Sequence, residues 1–232
     1  MANMTSKRLL LGVLLVLPVA MYLGSLVISG AVNFRSLEDL GDPLAQASWS
    51  DGTSFIQSDQ GTWTPDSMQG KIAVVSFFFT SCPTVCPAMN FHLKEAHDRL
   101  YGFKDLAFIS CTVDPLTDVP VVLEAYKERL GVQGSNKWQF ITGQREDLYA
   151  LANAYYLVAM QDSSAEGGYA HSQSAVILDW NGHLRSRITD EGNILGVYDV
   201  SEPYLVDQLV DDIRVLVKEH RKTKMGTDGA SK

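Results

Sequence analysis

Two thiols four residues apart, Cys82 and Cys86, stand in the run Phe79-Thr80-Ser81-Cys82-Pro83-Thr84-Val85-Cys86-Pro87, where an apolar stretch gives way to helix-forming sequence. Residues i and i+4 of a helix share one face with Cβ atoms about 5–6 Å apart, so both sulfurs can converge on one ion or cycle as a disulfide. Cys82 at or near the N-cap, with Pro83 at the first helical position, puts its sulfur among free N–H groups at the positive end of the helix dipole. That setting favours the thiolate, the form that binds metal or attacks a disulfide. A buried pair of unreactive cysteines is the plainer alternative, and the strand-to-helix position argues against it.

The flanking elements alternate. Ile72–Phe79 is a continuous apolar run of strand length, of the kind buried on both faces of a parallel sheet. A helix opened by Pro83 continues through Met89, Leu93, Ala96 and Leu100, and Leu106–Val113 is a second buried strand. Pro120–Leu130, ended by Gly131, reads as the next helix. Trp138–Thr142 is a short strand, and Glu146–Leu157 a helix with Leu148, Leu151, Ala152 and Tyr155 on one side. Ser174–Trp180 and Leu184–Ile188 flank Asn181-Gly182, which predicts a hairpin closed by a type I′ turn, and a last helix follows from Glu202 to His220. This order predicts an α/β, thioredoxin-like fold with a mixed central sheet flanked by helices. In open α/β sheets the crevice lies outside the carboxyl ends of the strands, so the Cys82/Cys86 turn, Asp114-Pro115 and the loop carrying His171 are expected to share it.

Ahead of the domain, Lys7 and Arg8 precede an uncharged stretch from Leu9 to Phe34. It is long enough to cross a bilayer core, which needs about 20 apolar residues, and membrane helices tolerate an internal proline such as Pro18. The expected organisation is a cytoplasmic N-terminus at 1–8, one N-terminal transmembrane helix at 9–34 and a linker at 35–47. The folded domain should then occupy 48–221 and a disordered tail 222–232. The basic pair places the domain on the periplasmic side of the inner membrane. A cleaved signal ending at Ser29-Gly30-Ala31 is the rival, but signal cores run only about 7–15 residues. The net charge of −8 argues against nucleic acid, whose phosphates it would repel.

Taken together, three segments resemble the SCO/SenC family of membrane-tethered copper proteins that assist cytochrome c oxidase assembly. They are Phe77 to Pro87 with its two cysteines, Ser110-Cys111-Thr112-Val113-Asp114-Pro115-Leu116-Thr117-Asp118-Val119-Pro120, and His171-Ser172 before an apolar strand. The resemblance implies that Cys82, Cys86 and His171 bind one copper ion. It also implies that the recipient is the dinuclear copper site of the oxidase, with an upstream copper donor or thiol reductant as a further partner. Family members usually carry an acidic residue just before the histidine, where this chain has Ala170.

Two thiolates and an imidazole form a soft donor set suited to Cu(I) and able to take Cu(II). Zinc would fit less well, because structural zinc sites have four protein ligands. The main rival function is thiol-disulfide reduction by Cys82 and Cys86 of a copper site's cysteines; a copper or redox sensor is a third reading. Thioredoxin-like oxidoreductases usually carry Cys-x-x-Cys and a proline before the facing strand. Here the cysteine spacing is one longer, and Tyr169-Ala170-His171-Ser172 contains no proline. Other residues read as structural. Cys111 and Met89 are expected in the core. His92 and His97 are expected on the surface, five apart and not a ligand pair, and His183 in the hairpin turn. His220 should end the last helix and complement its dipole, Asp114 and Asp118 should brace the loop after the second strand, and Asp207, Asp211 and Asp212 should form a solvated helix face.

Overall fold

The computed structural model describes residues 14–23, 36–45 and 53–230. Two units are distinguished, Met1–Arg35 and Ser36–Lys232. In the first, α1 occupies residues 14–23. No described helix is long and apolar enough to cross a membrane. Residues 1–8, most of the expected 9–34 span and Ser29-Gly30-Ala31 lie outside the described residues.

In the second unit the chain runs β1 (Glu38–Asp39), β2 (Phe55–Gln57), β3 (Thr62–Trp63), β4 (Ile72–Phe78), α2 (Val85–Leu100), β5 (Leu106–Thr112), α3 (Pro120–Leu130), β6 (Trp138–Thr142) and α4 (Arg145–Ala154). It continues through β7 (Ala159–Gln161), β8 (Tyr169–His171), β9 (Ser174–Leu178), β10 (Leu184–Ser186), β11 (Tyr198–Asp199) and α5 (Pro203–Ala230). The main sheet has the order β1-β10-β9-β4-β5-β6-β2-β3, with β11 also paired to β9, while β7 and β8 form a separate ribbon. β4, β5 and β6 are parallel, and β9 joins β4 antiparallel, so the sheet is mixed as expected. Helices flank it, and every residue of β4 and β5 is buried, as an apolar run without alternation requires. α3 begins at Pro120 and stops at Gly131, which takes φ 76°, a left-handed cap that a side chain would disfavour.

The hairpin forms between β9 and β10, but its turn differs from the expected type I′. A type I′ turn needs positive φ at both central residues, and only Gly182 of the pair has it. Asp179 N–H instead donates to the His183 carbonyl (2.9 Å) and Gly182 N–H to the Asp179 carbonyl (3.0 Å), a three-residue loop with glycine in the left-handed position. The Asp179 carboxylate supplies the reason, accepting from the Asn181 and His183 amides at 2.9 and 3.2 Å.

Several surface expectations are corrected. β1 lies inside the segment read as a linker and pairs with β10, because Arg185 Nη2 donates to the Leu37 carbonyl while Nη1 reaches Asp179. His92 and His97 are buried: His92 Nδ1 donates to the Val200 carbonyl (2.9 Å), and His97 meets Ser135 Oγ (2.9 Å) among aromatic rings. α5 continues through the expected tail to Ala230, so His220 is an interior helix residue stacked on Trp180 rather than a helix end.

Asp207 and Asp211 are exposed as expected, whereas Asp212 is fully buried. Arg187 donates to both of its carboxylate oxygens (2.7 and 2.9 Å), and the Tyr198 hydroxyl adds a third bond (2.7 Å). Removing one partner of such a pair strands the other charge, so Asp212→Ala should destabilise the domain by about 3–5 kcal/mol. Urea unfolding followed by circular dichroism measures this, and a loss under about 1 kcal/mol would contradict the pairing.

Candidate metal centre

β4 delivers the chain to a tight turn at its carboxyl end, and α2 starts at Val85 with Thr84 as N-cap. Cys82 and Pro83 therefore lie in the turn, and the helix begins two residues later than the start expected at Pro83. Pro87 explains the shift. It lacks an N–H, which is harmless in a first turn, but a helix begun at Pro83 would need that N–H for the carbonyl four residues back.

The consequence expected for Cys82 survives by another route. The Cys86 N–H points at Cys82 Sγ (3.4 Å), so the sulfur caps the helix from outside. Burial opposes ionisation of Cys82, but the N–H groups of Cys86, Thr84 and Val85 outweigh it and hold this thiol below its ordinary value. Cys86 is the opposite case: deeper burial, reinforced by Cys82, pushes its thiol well up. The turn thus offers one sulfur ready to ionise and one that keeps its proton until something replaces it.

His171 arrives from the far side on β8, held against β7 with Ala159 as its pair. The next residue locks the strand end, with Ser172 N–H donating to the Val158 carbonyl (3.0 Å) and Val158 N–H to Ser172 Oγ (2.7 Å). His171 Nδ1 lies 3.0 Å from the Ser172 carbonyl, which can only accept, so Nδ1 carries the hydrogen. Burial holds the imidazole below its usual value and hence neutral, leaving the Nε2 lone pair 2.9 Å from Cys86 Sγ. Phe79 packs edge-on to this ring (5.7 Å) and against Tyr169 (5.4 Å). The loop before β8 approaches so closely that a Cβ on Gly167 would sit 2.7 Å from the Phe79 ring.

One donor atom from each of Cys82, Cys86 and His171 lies within 4.8 Å of the others. Metal–sulfur bonds of about 2.3 Å in a trigonal arrangement require donors about 4 Å apart, so a single soft ion would be admitted once the 2.9 Å contact between Cys86 and His171 opens by about 1 Å.

Asp118 braces the turn, as expected. Its buried carboxylate accepts from the Thr80 N–H (3.0 Å), the Thr80 hydroxyl and the Thr112 hydroxyl (2.6 Å), tying the chain before Cys82 to the end of β5. Burial nevertheless pushes this carboxyl above its usual range. Asp114 accepts from the Tyr169 hydroxyl (2.7 Å), coupling the same loop to β8. Burial and that carboxylate push the Tyr169 phenol up to about 12. Tyr169 went unremarked in the sequence, although its place two residues before His171 on a strand puts both on one face. Cys111 and Met89 lie in the core, as expected.

A second grouping, Asp39, Asp179 and His183, also brings three potential ligands together. Its atoms already bond one another and Arg185: His183 Nδ1 sits 3.0 Å from Asp39, and Asp179 takes Arg185 Nη1 at 3.1 Å. It clamps β1 to the hairpin.

Comparison with known proteins adds family information. A family model described as SCO1/SenC matches residues 45–203 of the 232-residue chain. A Bacillus subtilis (strain 168) protein named SCO1 protein homolog is 23% identical over 163 residues, 69% of this chain and 79% of that one. Among solved structures, Arabidopsis thaliana ScoI with copper bound is similar at a TM-score of 0.54 and 23% identity, covering 69% of this chain and 95% of that one. BsSco, described as a member of the Sco family of cytochrome c oxidase assembly proteins with a disulfide switch, gives a TM-score of 0.58 and 19% identity. The match covers 80% of this chain and 95% of BsSco. These likenesses establish the thioredoxin-like fold of the second unit.

The unequal thiols have a direct readout. In the reduced, metal-free chain, iodoacetamide should label Cys82 first, with its rate rising at lower pH than for an ordinary thiol, while Cys86 stays protected between about pH 6 and 9. Peptide mass spectrometry measures both; equal labelling at all pH values would refute the asymmetry.

Proposed function

Since the chain belongs to the SCO1/SenC family, we propose that it carries one copper ion on Cys82, Cys86 and His171 and passes it to the dinuclear copper site of a respiratory cytochrome c oxidase during assembly. The observation that supports this most is the convergence of two thiols and an imidazole from separate elements onto one point. Copper is the cargo here. Cys82 presents the first thiolate because backbone N–H groups stabilise it. Cys86 gives up its proton only when a cation takes its place, so uptake releases protons and strengthens as pH rises. His171 offers Nε2, oriented by the Ser172 carbonyl. With three protein donors the ion stays open to attack by a recipient's cysteines, as transfer requires.

In this reading residues 9–34 form a single transmembrane anchor with residues 1–8 in the cytoplasm, and the domain works on the periplasmic face of the inner membrane. Lys7 and Arg8 ahead of an uncharged stretch support that orientation. Upstream partners are a copper donor or a thiol reductant.

A second reading, thiol-disulfide exchange, draws support from the same turn: an acidified Cys82 beside a protonated Cys86 matches an attacking and a resolving thiol. Cys82 would attack a partner disulfide and Cys86 would release the reduced partner, leaving the Cys82–Cys86 disulfide behind. Both activities fit one protein, because the oxidised pair cannot hold copper.

Substitution separates them. His171→Ala should lower copper affinity at least about tenfold and remove the thiolate-to-Cu(II) charge-transfer band. Reduction of a disulfide substrate should vanish in Cys82→Ser yet persist in His171→Ala if the exchange reading holds. Unchanged affinity and spectrum in His171→Ala would falsify the three-ligand site. Delivery is read separately, as copper gained by an isolated oxidase copper subunit mixed with the loaded chain.

A further inference from the structure

At the end of the sheet opposite the cysteines, a cavity of about 220 Å³ opens between the loop leading into β5 and the middle of α5. Its lining includes Phe103, Lys104, Asp105, His220 and Arg221. We infer that this cavity is a binding site for a phosphate group, held by Lys104, His220 and Arg221.

His220 carries the inference. The residue is only 6% exposed, and although the Gly70 backbone lies close, neither ring nitrogen makes a hydrogen bond of acceptable geometry. A buried polar group left in that condition loses its hydration without compensation, which signals a ligand or solvent atom in the wall it faces. Asp105 Oδ2 lies 3.8 Å from Nε2, beyond hydrogen-bonding range. Asp105 is itself engaged by Lys224 Nζ at 2.7 Å. Trp180 stacks on the imidazole at 4.5 Å and fixes its plane. Burial and the Lys224 charge keep this histidine below its usual value, so the neutral ring offers one N–H as a donor.

The charge of the cavity selects the ligand. Against a chain total of −8, Lys104 and Arg221 line the cavity with one carboxylate, Asp105, which Lys224 already pairs, so the local balance is positive. Arg221 spreads its guanidinium over the Phe103 ring (5.6 Å), which orients a planar donor fork at the rim. A planar fork, an ammonium and an imidazole N–H around one small cavity match the several acceptor oxygens and the near-double charge of a phosphate. Free phosphate and the phosphate of an anionic lipid share this chemistry.

The test uses the full chain in a maltoside detergent at constant ionic strength, with the His220 ring and Trp180 indole resonances as reporters. One arm adds inorganic phosphate and the other dopes the micelles with phosphatidic acid. A saturable shift in either arm is expected, and the arm that responds identifies the source. Lys104→Gln and Arg221→Gln should each weaken binding at least about fivefold. His220→Phe, which keeps the stack on Trp180 but removes the N–H, should also weaken it with the thermal melt unchanged. Copper loading, measured in parallel, should not respond, because β4 separates the two ends by about 20 Å at ~3.3 Å per residue. Absence of a saturable shift in both arms, or one undiminished in Lys104→Gln and Arg221→Gln, overturns the assignment.

Discussion

The meeting of Cys86 Sγ and His171 Nε2, 2.9 Å apart in space and 85 residues apart in sequence, is the constraint the domain must satisfy. Closing so long a loop is unfavourable unless the intervening chain is itself ordered. The sheet supplies that order. β4 sits between β5 and β9, so the turn leaving β4 and the ribbon entering β9 are neighbours at one end. Ribbon β7–β8 then needs only the Ser172–Val158 lock to aim His171 at the turn.

Electrostatics at the site follows from the same convergence. Asp118 holds the turn from beneath with three hydrogen bonds, and its negative charge adds to the burial that makes Cys86 resist ionisation. Cys82 escapes because it sits at the helix start rather than within the helix, where amide groups point outward. Two cysteines four residues apart therefore differ in acidity because one is held by amide groups at the helix start and the other is buried within the first turn.

Much of this was legible from residue types. The uninterrupted apolar runs identified β4 and β5, the cysteine pair stood out by its spacing, and the strand order placed the His171 loop at the same crevice, while the ligand set came from the family resemblance. Boundaries set by hydrogen bonds were harder to see. Ribbon β7–β8 is built from Ala159-Met160-Gln161 and Tyr169-Ala170-His171, which carry no β-branched residue and no alternation. Asp212 looked like part of an acidic face with Asp207 and Asp211. At about 100° per residue, however, it stands nearer the stripe of Leu209, Ile213 and Leu216 than Asp211 does. The partner that makes its burial tolerable, Arg187, lies just past the end of β10, 25 residues away in sequence. His220 was misplaced for a different reason: the polar, glycine-containing residues after it looked like a tail, whereas α5 continues through them.

The departure at Ala170 can be weighed in the same physical terms. Side chains alternate along a strand, and Tyr169 and His171 both pack on Phe79, so residue 170 projects from the opposite face of β8. An acid there would not reach the donor atoms across the strand. The imidazole already has its orienting partner in the Ser172 carbonyl, and the nearest carboxylate linked to β8 is Asp114, through the Tyr169 hydroxyl. Burial and the Ser172 carbonyl set the state of the histidine, while the loop after β5 holds Tyr169 beside it through Asp114 and braces the turn before Cys82 through Asp118 and Thr80. Both halves of the donor set lean on that one segment, so a change in its position would move the thiols and the imidazole together.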